Sequence, residues 1–192
     1  MANLSDSFPA AAGSNILEAI SGTCDGRAIE VMSGTYTLGN VTAYQNLSTS
    51  YVDVTGSSIA YTPPSDANHV LYKFDFEWDS IGSSGISHFK LIIDGTEVVP
   101  AYKCISSNYS GNHGHHHAHH MESMFYNFDL AASSDDAANG KFASWTTAKT
   151  IKVQAREYDS ATYQAAVHHN AYYSTFGTSQ YTKPSLTVKA YS

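Results

Sequence analysis

Cation clusters, paired cysteines and long apolar runs are what this chain lacks. Only 10 of its 192 residues are Lys or Arg against 17 Asp or Glu, a formal charge of −7, and the cations form no stripe. That argues against a nucleic acid or an anionic membrane surface, both of which are bound through gathered positive charge. A neutral or glycan-like partner fits better. The two cysteines, Cys24 and Cys104, are far apart and read as packed and reduced rather than bridged. No apolar run is long enough to span a bilayer, so membrane insertion is not expected. Met1-Ala-Asn-Leu-Ser-Asp has neither a basic nor an apolar leader region, which predicts no signal peptide and synthesis in a cytoplasm. Asn3, Asn40, Asn46 and Asn108 begin Asn-X-Ser/Thr triplets, but without a secretory route they read as ordinary turn and strand residues.

Low charge with plentiful Tyr, Thr and Ser suits a β-rich chain with hydroxyl-covered surfaces. Residues Met1–Gly13, with three consecutive alanines and few large side chains, predict an arm able to dock onto something else. Residues 14–48 carry short strand-forming runs separated by Gly, Asp and Asn, which predicts a small β-meander serving attachment. Residues 49–192 hold about eight further strands at short turn spacing, the signature of a sandwich or barrel. The best strand is Tyr72–Trp78, where four rings alternate with Lys73, Asp75 and Glu77. It predicts a buried aromatic face at the centre of the core and three charges in water. Asp94-Gly95 predicts a tight hairpin, and Pro100 makes the returning strand an edge, or marks its end. Ala166–Tyr173 and Leu186–Ala190 are read as the last strands. The expectation is an all-β jelly-roll sandwich.

Against this quiet background, Gly111–His120 reads Gly-Asn-His-Gly-His-His-His-Ala-His-His and holds six of the ten histidines. In an extended backbone His113, His115, His117 and His119 line one face, while His116 and His120 line the other. Imidazole is the commonest ligand for transition metals, so the row predicts metal binding that weakens as pH falls. The plain alternative is a solvated loop that adds pH-dependent charge. Side chains two apart on a strand are too far separated for both to meet one ion easily. One HxH pair from each of three subunits would instead give six nitrogens, pointing to iron or nickel before zinc.

Asn3-Leu-Ser-Asp, Ser21-Gly-Thr-Cys-Asp-Gly-Arg, Gly34-Thr-Tyr-Thr-Leu, Tyr61-Thr-Pro-Pro, His88-Phe-Lys-Leu-Ile-Ile-Asp-Gly and Ala155-Arg-Glu-Tyr resemble virion structural proteins of tailed phages that infect marine bacteria. The resemblance implies a tumour-necrosis-factor-like or jelly-roll module that assembles as a homotrimer on a tail fibre or capsid surface. It also implies a virion location and contacts with other virion proteins through the arm. It brings no catalytic residue, and the His-rich run departs from its pattern.

No nucleophile elbow, zinc-protease helix motif or phosphate-cradling glycine loop is present, so a non-enzymatic role is expected. Asp75 and Glu77 share a strand face as glycosidase acids might, but read as its wet side. Asp135-Asp136 lacks the spacing of a calcium loop and reads as solvated. His168-His169 beside Tyr172-Tyr173 offers extra ligands or a sugar-stacking surface, with strand surface and core as the plainer reading. For an adhesin recognising host-surface glycans, Tyr163, Tyr172, Tyr173 and Phe176 are the candidate contacts.

Overall fold

The alternation of Tyr72, Phe74, Phe76 and Trp78 forms the centre of the molecule in the computed structural model, which describes residues 15–81, 84–108, 118–159, 162–170 and 180–192. In chain order the strands are β1 (Ile16–Thr23), β2 (Ala28–Val31), β3 (Gly34–Thr37), β4 (Gln45–Asn46), β5 (Val52–Asp53), β6 (Ile59–Tyr61) and β7 (His69–Ser80). They continue as β8 (Ser84–Ile93), β9 (Thr96–Asn108), β10 (Ala118–Asp129), β11 (Lys149–Glu157), β12 (Ala165–Val167) and β13 (Ser185–Tyr191). A 3-10 turn at Ala137–Asn139 is the one helical element among the described residues.

The long strand β7 organises a six-stranded antiparallel sheet. β10 pairs along one whole edge of it, from Asp129 opposite His69 to Ala118 opposite Ser80. On the other edge β13 takes His69–Asp75 and β12 takes Trp78–Ser80, with β1 beyond β13 and β4 beyond β12. The second sheet runs β9-β8-β11, and β11 passes its far edge to β5 and β6. The chain leaves the first sheet after β7, makes the β8–β9 hairpin in the second, returns at β10, and crosses again at β11 and β12. The result is an all-β, jelly-roll-like sandwich. β1 and β4, from within residues 14–48, are strands of the six-stranded sheet, while among the described residues β2 and β3 pair only with each other.

The core follows from strand parity. Tyr72, Phe74, Phe76 and Trp78 have no exposed surface, and Phe76 meets Phe89 of the facing sheet at 5.1 Å between ring centroids. Each such ring contributes on the order of 2 kcal/mol, an upper figure for real unfolded chains. Their polar atoms are matched: Trp78 Nε1 donates to Ser87 Oγ at 2.9 Å and the Tyr72 hydroxyl to the Ser57 carbonyl at 2.5 Å. The other parity departs from the expected row of hydrated charges. Lys73 and Asp75 are half-buried and paired at 2.8 Å, and Glu77 is only 7% exposed. Alternation had assigned the face correctly, but neighbouring chain covers it.

The hairpin at Asp94-Gly95 has the positive φ values, 46° and 81°, that a tight turn of this hand needs. Pro100 lies on β9, which is an edge strand. Cys24 is buried, Cys104 is exposed, and both are free thiols. The Asp135-Asp136 carboxylates serve their own loop, accepting from Ala143 N and from the Asn139 side-chain amide at 2.8 Å each.

Candidate functional site

The outer face of β7 gathers acids and histidines from three parts of the chain. Glu77 and Asp79 are two residues apart and therefore point the same way; Asp79 is fully buried. Across the β10 edge the residue opposite Asp79 is His119, and its Nδ1 lies 3.3 Å from Glu77 Oε1 and 3.8 Å from Asp79 Oδ1. Across the β12 edge the chain turns at His168, whose φ of 64° redirects it over the sheet. His168 N then donates to the Glu77 carbonyl at 2.7 Å. His169 follows, with Nδ1 at 2.5 Å from Asp79 Oδ2 and its ring 4.5 Å from that of Tyr44.

Two carboxylates buried side by side are unfavourable unless partnered, and imidazoles are the partners supplied here. The His168-His169 pair divides between two roles. His169 meets Asp79, while His168 turns into the core, edge-on to Phe74 at 6.2 Å, with Nε2 3.0 Å from the Thr55 carbonyl. Burial pushes the His168 pKa down to about 4. Among the described residues its buried Nδ1 has no hydrogen-bond partner, so protonating this ring would strand a charge.

Of the six clustered histidines, His119 and His120 are described and fall on opposite faces of β10, as alternation requires. His119 faces the carboxylates, and His120 tilts against Trp78 at 5.6 Å. His113, His115, His116 and His117 lie outside the described residues, as do Tyr172, Tyr173 and Phe176. Among the described residues no three His, Cys, Asp or Glu side chains are arranged to hold a metal ion. Tyr163 is described and stands edge-on to Tyr158 at 5.7 Å. Asp79 was missed in the sequence. Its only local signal is its place two residues after Glu77, and nothing nearby announces that His119 and His169 converge on it.

The same face carries an apolar ridge farther along β10. Met121 is 73% exposed and Phe125 67% exposed, on the parity of His119. Beside Phe125, a groove of about 500 Å³ runs between β9 and β10 past Pro100, Lys103 and Ser123. A second depression of about 260 Å³ reaches His69, Leu71 and Tyr191. Among the described residues β10 pairs with β7 alone, and its other edge faces β9 through the Lys103–Glu122 ion pair at 2.5 Å. Comparison with protein-family models and with curated proteins gave no match. Among the described residues no helix is long and apolar enough to cross a membrane.

Proposed function

We propose that this chain is a non-enzymatic structural subunit of a tailed-phage virion, a homotrimeric fibre or surface-decoration module that contributes to host-surface attachment. The observation that carries the reading is the ridge of Met121 and Phe125 on the strand at the sheet's edge. Large side chains left this exposed on a regular strand mark a surface for association. Burying each would contribute about 1.5–3 kcal/mol. A second and third copy of the chain are the partners that fit, because the motif resemblance is to proteins that assemble in threes. The arm Met1–Gly13, outside the described residues, would attach the trimer to other virion proteins.

A transition metal belongs to the same proposal. Three copies of the His113–His117 run, brought together at a threefold axis, would place imidazoles from different subunits around iron, nickel or zinc. Sedimentation of the purified chain at micromolar concentration tests the assembly, and antibody labelling of phage particles tests the location. Absence of label from intact particles would remove the virion reading, whatever the oligomeric state.

A further inference from the structure

We infer that a cleft on the outer face of the second sheet binds a carboxylate-bearing sugar, a uronic or sialic acid residue. Three strands set one row across that face, with Arg156 of β11 opposite His88 of β8 and His88 opposite Cys104 of β9. Together with Ile86, Glu157 and Tyr158 they line a cleft of about 260 Å³, room for a single sugar ring.

The charges around the cleft are unevenly matched. Lys90 is taken by Glu97 at 2.8 Å, and Glu157 is buried, its Oε2 accepting from Ala165 N at 3.0 Å. Arg156 is exposed, and among the described residues its guanidinium meets the Tyr51 ring, at 5.1 Å to the centroid, and no carboxylate. That leaves the Arg156 guanidinium as the group of this cleft able to receive an anion. Its planar fork matches a carboxylate by two parallel hydrogen bonds.

The remaining groups suit a sugar better than a bare anion. Tyr158 is 69% exposed and offers an aromatic face for the apolar side of a pyranose. Tyr163 props it edge-on. The Tyr51 hydroxyl is hydrogen-bonded to His88 Nδ1, and the Tyr102 ring packs 5.0 Å from the imidazole. With Nδ1 accepting from Tyr51, Nε2–H is left to donate to a sugar hydroxyl. Burial and the neighbouring Arg156 hold the His88 pKa below its ordinary value, which favours this neutral form. The cleft involves neither Met121 nor Phe125, so it stands whether or not the chain trimerises.

The test uses the full-length protein with methyl β-D-glucuronide and N-acetylneuraminic acid as probes, and methyl β-D-glucoside and acetate as controls, by calorimetry and saturation-transfer NMR. One of the two acidic sugars should bind at least about tenfold more tightly than either control, and Arg156→Gln should weaken it by about tenfold or more. Tyr158→Ala should also weaken it, with Arg156→Lys intermediate. Cys24 is buried and Cys104 exposed, so alkylation reports on Cys104 and should slow when the acidic sugar is bound. The inference is overturned if neither acid binds at millimolar concentration, if Arg156→Gln binds as the parent does, or if acetate competes as well as the sugar.

Discussion

At the scale of single residues, burial sets the chemistry. His168 is neutral in the folded protein down to about pH 4, whereas its ordinary value is 6.5. Below pH 6.5 the unfolded chain takes up a proton that the folded chain refuses, so stability falls as pH drops and levels off below about 4. Across that window the loss is about 1.4 kcal/mol per pH unit, on the order of 3 kcal/mol in all. His168→Asn, which suits the positive φ and does not titrate, should flatten this part of the profile in urea denaturation from pH 7 to pH 4. An unchanged slope would show that His168 is not the group responsible. Asp79→Asn replaces the buried carboxylate that His169 Nδ1 and His119 Nδ1 approach with an amide that has one acceptor oxygen instead of two, and should cost about 1–3 kcal/mol at neutral pH. A change below about 0.5 kcal/mol would mean the cluster is solvated. The sequence showed that Glu77 shares a face with the other polar residues of its strand. It could not show that residues 119 and 169, distant in the chain, would cover that face.

Among the elements, legibility followed the range of the signal. β7 was readable because its period of two is written in consecutive residues, and the β8–β9 turn because Asp94-Gly95 is a local instruction. The strand expected over Ala166–Tyr173 is observed only as β12, Ala165–Val167, among the described residues. Ala166–Tyr173 has strand-forming residues, but His168 leaves the strand and its backbone N–H bonds Glu77 instead, ending β12 at Val167. The pairing of β1 with β13 joins Ile16 to Tyr191, a partnership for which no neighbouring residue carries a cue. The turn after β10 supplies an element-level test. Gly140 ends the 3-10 turn at φ 64°, and a Cβ there would come within 2.2 Å of the Tyr126 ring, whose hydroxyl donates to the Asn139 carbonyl. Gly140→Ala should therefore destabilise by about 2 kcal/mol or more, through both strain and overlap. A melting temperature equal to that of the parent would mean that the turn and Tyr126 move apart freely.

For the whole molecule, assembly is the property on which the proposed function depends. Deleting Met1–Gly13 should leave the melting temperature nearly unchanged while abolishing incorporation into particles; failure of the truncated chain to fold would mean the arm is a structural element. If imidazoles from three subunits hold an ion, chelation should lower trimer stability by up to about 4 kcal/mol, the linkage expected when free metal is a thousandfold above its dissociation constant. Replacing His113, His115, His117 and His119 by Ser should remove that sensitivity. A metal-free preparation that melts unchanged on chelation would leave the run as a solvated feature. The most direct measurement is sedimentation equilibrium of the full chain and of Phe125→Asp at micromolar concentration. The account predicts a mass three times the 20.8 kDa of one chain for the parent and a folded monomer for the variant. A parent sedimenting as a 20.8 kDa monomer, or a Phe125→Asp trimer as stable as the parent, would contradict it.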